Sequence, residues 1–68
     1  MKVIINDTPI DLNGSSTNLE QAVSHSGISD FKGLAIAVNN AVIPRRTWST
    51  FQLKDNDTIT IIRATQGG

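Results

Sequence analysis

The sequence predicts an α+β fold in which one short helix lies across one face of a mixed, four- to five-stranded sheet. Two β-branched runs, Lys2-Val3-Ile4-Ile5 and Thr58-Ile59-Thr60-Ile61-Ile62-Arg63, stand near opposite ends of the 68 residues. Between them one segment carries helix start and stop signals, and Leu34-Ala35-Ile36-Ala37-Val38 alternates large with small side chains as a half-buried strand does. At this length the chain forms one domain with an economical core.

Each element follows from local chemistry. Val3-Ile4-Ile5 passes through the turn formers Asn6-Asp7-Thr8 into Pro9-Ile10-Asp11-Leu12, which reads as an N-terminal hairpin. Val3, Ile5, Ile10 and Leu12 are expected on its core face, and Pro9 is tolerable where no ladder donor is needed. Asn13-Gly14-Ser15-Ser16 is a loop. Thr17-Asn18-Leu19-Glu20 has capping-box spacing with Thr17 as the cap, Leu19, Ala22 and Val23 form one apolar stripe, and Gly27 is the stop. The helix spans about two and a half turns and depends on packing rather than propensity. His25 falls near its end, where a cation meets the favourable end of the dipole. Ser29 to Gly33 connects to the third strand, in which Leu34, Ile36 and Val38 should face the helix.

Asn39-Asn40 suits a tight turn with left-handed backbone angles into a short strand, Ala41-Val42-Ile43, that Pro44 ends. Arg45 to Thr50 reads as a loop or one helical turn that folds Trp48 onto the core edge, with Phe51 and Leu53 continuing inward. Lys54-Asp55-Asn56-Asp57 turns into the last strand. This order is that of the β-grasp arrangement. A right-handed crossover through the helix is expected to set the third strand beside the first. The last strand then pairs on the other side of the first or inserts beside it, and the pattern alone leaves that choice open. One helix on one face leaves the other face to solvent, and parity places Ile62 there.

Composition excludes several functions. The chain has no cysteine, so disulfides, thiolate metal sites and cysteine nucleophiles are absent. Six basic and six acidic residues balance, against nucleic acid or an anionic membrane as the main partner. Arg45-Arg46 is the one basic cluster. No apolar run is long enough to span a bilayer and no leader pattern is present, so a cytoplasmic protein is expected. With one histidine and no paired carboxylates, an autonomous enzyme is not expected.

The sequence closes on Gly67-Gly68, directly after the last predicted strand and a short link. Two glycines make narrow peptide units that enter a slot closed to branched residues, and they leave the terminal carboxylate unhindered. Residues 1–63 are expected as a globule and 64–68 as a flexible tail. Five extended residues reach about 17 Å, enough to enter a buried site on a partner while the globule stays outside.

Three stretches together resemble a known family. Ile36-Ala37-Val38-Asn39-Asn40-Ala41-Val42-Ile43-Pro44-Arg45, with Trp48 three residues beyond the arginine, resembles the hydrophobic-Asn-x-x-hydrophobic-Pro-Arg-x-x-Trp segment of the ubiquitin-like sulfur carriers of thiamin biosynthesis, the ThiS family. Leu53-Lys54-Asp55-Asn56-Asp57 resembles that family's Leu-x-Asp-Gly-Asp turn, with Asn56 in place of glycine, and Gly67-Gly68 completes the pattern. The resemblance implies that the Gly68 carboxylate is adenylated by a separate E1-like enzyme of the ThiF type, using ATP and magnesium, and becomes a thiocarboxylate. It implies a sulfur donor protein, a thiazole synthase of the ThiG type as recipient, and no cofactor bound by this chain. Thr65, Gln66 and Gly67 would thread into the partner, and Ile62 and Arg63 are candidate docking residues. Arg63 reads first as a solvated strand-end charge and second as a docking cation, and Trp48 reads as a core lid before an interface anchor. The small subunit of molybdopterin synthase shares fold and tail, although Ala64-Thr65-Gln66 lacks its proline-rich approach. A ubiquitin-like protein modifier and a plain β-grasp interaction module are the other readings.

Overall fold

The computed structural model describes residues 1–12, 17–28 and 30–63. The expected loop over residues 13–16, Ser29 and the expected tail over 64–68, with Thr65, Gln66, Gly67 and Gly68, lie outside the described residues.

Strand β1 (Lys2–Ile5) turns back into β2 (Thr8–Asp11), helix α1 (Leu19–His25) follows, and then come β3 (Leu34–Val38), β4 (Ala41–Val42), a 3-10 turn (Arg45–Thr47) and β5 (Thr58–Arg63). Both hairpins use the chemistry their sequences carry. Asn6 and Asp7 have φ of 49° and 68°, and Asn39 and Asn40 have 51° and 71°, the left-handed pairs that match the twist of flanking strands. Asn56, at φ 71°, takes the place where glycine would be easiest. The result is a β-grasp: one five-stranded mixed sheet with the helix on one face.

The strand order is β2-β1-β5-β3-β4. The expectation that β3 lies beside β1 is corrected: β5 occupies the slot between them. It runs parallel to β1, with Ile4 opposite Thr58 and Ile5 opposite Ile59. It runs antiparallel to β3, from Val38 opposite Ile59 to Leu34 opposite Arg63. A helix crossover fixes hand, not adjacency, and the gap left between β1 and β3 accepts one strand that satisfies both edges.

The helix start also moves. Asn18, not Thr17, is the cap: its Oδ1 accepts from the Gln21 amide at 2.8 Å, and Gln21 Oε1 accepts from the Asn18 amide at 3.2 Å. Thr17-x-x-Glu20 and Asn18-x-x-Gln21 both fit the spacing. Tertiary pairing decides between them, because the Leu53 amide donates to the Thr17 carbonyl at 3.0 Å and the Asn18–Gln52 bridge holds the chain extended through this point. Gly27, at φ 98°, ends the helix as expected.

Val3, Leu19, Val23, Ile36, Trp48 and Ile59 are completely or almost completely buried between helix and sheet. Ile5, Leu12, Val38 and Leu53 join them. Ile10, expected on the same face, is only half-buried, since it lines an open cleft beside the end of the helix. Trp48 closes the opposite side, its Nε1 donating to the Ile43 carbonyl at 2.8 Å and its ring meeting Phe31 edge-on at 5.8 Å.

Asp57 ties three segments together. Its carboxylate accepts from the Lys54 amide at 2.8 Å and from Asn39 Nδ2 at 3.0 Å, and its carbonyl accepts from the Ile4 amide at 2.9 Å. Asp57→Ala strands the first two donors, which meet the buried Asp57 carboxylate in partly buried, charge-assisted bonds. Urea unfolding should show a loss of about 1.5–3 kcal/mol, a large share of the roughly 3–10 kcal/mol that a domain of this size holds.

Candidate functional site

Strand β5 carries two faces by parity, and they have different jobs. Ile59 and Ile61 point toward the helix, where Ile59 is fully buried. Thr58, Thr60 and Ile62 point to the open face, and Ile62 is 60% exposed, as expected. Register then assembles its neighbours. Ala35 stands opposite Ile62, Ala37 opposite Thr60, and Val42 opposite Ala37. The two alanines are too short to cover their partners, so Ile62 and the 75% exposed Val42 stand above the sheet. Pairing places no charged side chain on the open face of β5, β3 or β4. The charged residues of that face, Lys2 and Asp11, pair across β1 and β2 on the far side. Exposed apolar side chains on an uncharged sheet face form a candidate contact surface.

Sequence reasoning located Ile62 but missed Val42 and the alanines as its companions. The signal was present in the two-residue Asn39-Asn40 turn, which sets Val38 opposite Ala41 and therefore Ala37 opposite Val42.

Arg63 lies at the end of β5 on the helix side, opposite Leu34. Its guanidinium donates to the Asp30 carbonyl at 3.1 Å and to the Lys32 carbonyl at 3.4 Å, so it braces the connection into β3 instead of standing as a bare solvated charge. Arg45 is similarly engaged, with its guanidinium 5.8 Å from the centre of the Trp48 ring. Trp48 is buried, which makes it the core lid that its position suggested.

Among the described residues no group of acidic, histidine or cysteine side chains is arranged to hold a metal ion. An open cleft of about 290 Å³ lies between the β1–β2 turn, the end of α1 and β5. Ile5, Ile10, Ile28 and Ile61 floor it, short polar side chains rim it, and none of its described lining residues is ionisable. His25 stays exposed at the end of α1. The described part of the chain therefore offers a surface and a strand end. The terminal residues Thr65 to Gly68 that the sequence marks out come after Ala64 and lie outside the described residues.

The architecture is shared with solved structures. The crystal structure of a thiamine biosynthesis protein (ThiS) from Geobacter metallireducens superposes with a TM-score of 0.83 at 22% identity, each chain covered in full. An NMR structure of a thiamine biosynthesis protein from Geobacter metallireducens gives 0.77 at 22% identity, covering all of this chain and 88% of the other. At that identity the likeness is one of fold. A comparison with curated protein sequences gives no significant match. The sequence model of the ThiS family matches residues 3–68, from the first strand through both closing glycines. With nearly its whole length so matched, the chain belongs to the ThiS family.

Proposed function

We propose that this chain is a sulfur carrier of thiamin biosynthesis whose working group is the Gly68 carboxylate. One observation carries the reading: the family match covers residues 3–68 and so includes Gly67-Gly68. The solved structures of like fold are both described as thiamine biosynthesis proteins.

An ionised carboxylate is a poor electrophile, so sulfur transfer needs a leaving group. A separate E1-like enzyme supplies it from magnesium-ATP. The Gly68 carboxylate attacks the α-phosphorus, pyrophosphate departs, and an acyl adenylate forms. Sulfide supplied through a donor protein then attacks the acyl carbon, AMP departs and the sulfur loses its proton, leaving a thiocarboxylate that a thiazole synthase consumes. The chain contributes the acyl carbon, a narrow approach through Thr65, Gln66 and Gly67, and a docking face. It acts as a co-substrate of other enzymes. The lack of cysteine suits this role, because a nearby thiol would divert the activated acyl group into a thioester. No helix among the described residues is long and apolar enough to cross a membrane, and we assign the chain to the cytoplasm.

Two partners must each recognise one carrier and release it, which calls for contacts of moderate affinity. The open face around Ile62 and Val42 supplies apolar area beside the root of the tail. Ordering a tail on binding costs entropy that such a preformed surface offsets.

Intact-mass measurement tests the chemistry. Incubation with the activating enzyme of the same organism, magnesium-ATP and sulfide should exchange one oxygen for sulfur, and deletion of Gly68 should abolish the exchange without loss of folding. Isopeptide conjugates in cell extract, with no sulfur gain, would support a protein modifier instead. Replacing Ile62 by aspartate should leave stability within about 0.5 kcal/mol, since the side chain is already mostly in water. In steady-state activation assays the same variant should raise the carrier KM roughly tenfold, equivalent to about 1.4 kcal/mol of docking energy.

A further inference from the structure

Strand β5 outruns both of its neighbours, and the overhangs are at opposite ends. Strand β3 ends at Val38, opposite Ile59, so the start of β5 lies beyond it. Strand β1 ends at Ile5, also opposite Ile59, so the outgoing end of β5 lies beyond that strand. Main-chain groups on an overhang lose their ladder partners. Here each overhang is met by the side chain of the first asparagine in the neighbouring turn. Asn39 Oδ1 accepts from the Thr58 amide at 3.0 Å at the incoming end. At the outgoing end Asn6 takes both groups of Ile61: its Oδ1 accepts from the Ile61 amide at 2.8 Å, and its Nδ2 donates to the Ile61 carbonyl at 3.3 Å.

We propose that Asn6 is a positioning residue: its carboxamide lengthens the edge of β1 by one hydrogen-bonding step, clamps Ile61, and so fixes the direction in which β5 leaves the sheet toward the segment that is activated. The planar amide presents an acceptor and a donor side by side, as a ladder partner does. The backbone ladder from β1 ends with the Asn6 amide donating to the Ile59 carbonyl at 3.0 Å, and the side chain carries the hold on to Ile61. Only Ile62 and Arg63 then separate the clamp from residue 64. The turn itself does not demand asparagine, because glycine satisfies a φ of 49° more easily. What glycine cannot supply is the amide.

The consequence for function rests on the carrier reading. If the strand end is held on both edges up to Ile61, the partner meets a chain that starts from a defined point and direction, and less freedom is lost on entry. Removing the clamp should weaken productive binding and leave the chemical step alone, which is a change in KM at constant kcat.

Asn6→Gly is the test, since it keeps the turn and deletes only the amide. Amide hydrogen exchange should rise about tenfold at Ile61, as expected for loss of modest exposed hydrogen bonds, with Ile59 and Ile36 unchanged. In activation assays with magnesium-ATP and the same organism's activating enzyme, the carrier KM should rise roughly three- to tenfold with kcat within about twofold. Unchanged exchange at Ile61 overturns the clamp. Equal acceleration at Ile61, Ile59 and Ile36 also overturns it, because Asn6 would then hold the whole fold. Faster exchange at Ile61 with an unaltered KM makes the contact structural only and overturns the positioning role. A wild-type chain that is never adenylated overturns the carrier reading and with it the functional half of the proposal, while the exchange result still decides the clamp.

Discussion

Everything in this molecule depends on the insertion of β5 between β1 and β3. The last strand in sequence is the middle strand in space, so both halves of the sheet are joined only when it arrives. Its bonds span most of the chain. Asn6 holds Ile61 across 55 residues, and in the turn that leads into β5 Asp55 accepts from the Lys2 amide across 53. Ile59, the buried centre of β5, packs on Val3, Ile36 and their neighbours in a single cluster, so hydrophobic burial and strand pairing are won in the same step. A parallel β1·β5 ladder is the pairing with the highest loop-closure cost, and the turn at Lys54 to Asp57 offsets it by bonding directly to the start of β1: the Asn56 amide reaches the Lys2 carbonyl at 2.6 Å.

That placement has a mechanical meaning for a carrier. A segment that follows an edge strand would start from the least stable part of the sheet, where exchange and fraying concentrate. One that follows β5 starts from a strand still paired to β3 at Arg63 and held on the β1 side by Asn6. For the carrier function proposed above, the arrangement would separate two requirements that conflict in a small protein, a rigid body to be recognised and a terminal segment to be handled. Arg63 and Asn6 both act at this junction, one bracing the connection at Asp30 and Lys32, the other holding the Ile61 main chain.

The two faces of the sheet divide the remaining work. One is spent on the core, where Trp48 and Leu19 fill the volume that so few aromatic residues must cover. The other is left uncovered, with alanines beside Ile62 and Val42, so it keeps apolar area that a self-contained domain would bury. The loss is tolerable because Thr58 and Thr60 share that face and keep it wettable.

The sequence by itself determined which segments form strands and which forms the helix, because alternation, turn residues and caps act over a few neighbouring positions. Leu34–Val38 and Thr58–Arg63 emerge with the limits that their residue patterns show, and the asparagine turns adopt the left-handed angles that their side chains tolerate. The sequence also marked Ile62 as exposed and Gly67-Gly68 as the notable end, since parity and glycine content are local properties. Only the tertiary structure decided what lies beside what. The cap expected at Thr17 falls instead at Asn18, because the Leu53 amide claims the Thr17 carbonyl. Adjacency of β5 to both β1 and β3, the gathering of Val42 with Ile62, and the grip of Asn6 on Ile61 all join residues far apart in the chain. Such contacts are selected by the simultaneous satisfaction of edges and the filling of one shared core, and no local window of sequence contains that sum.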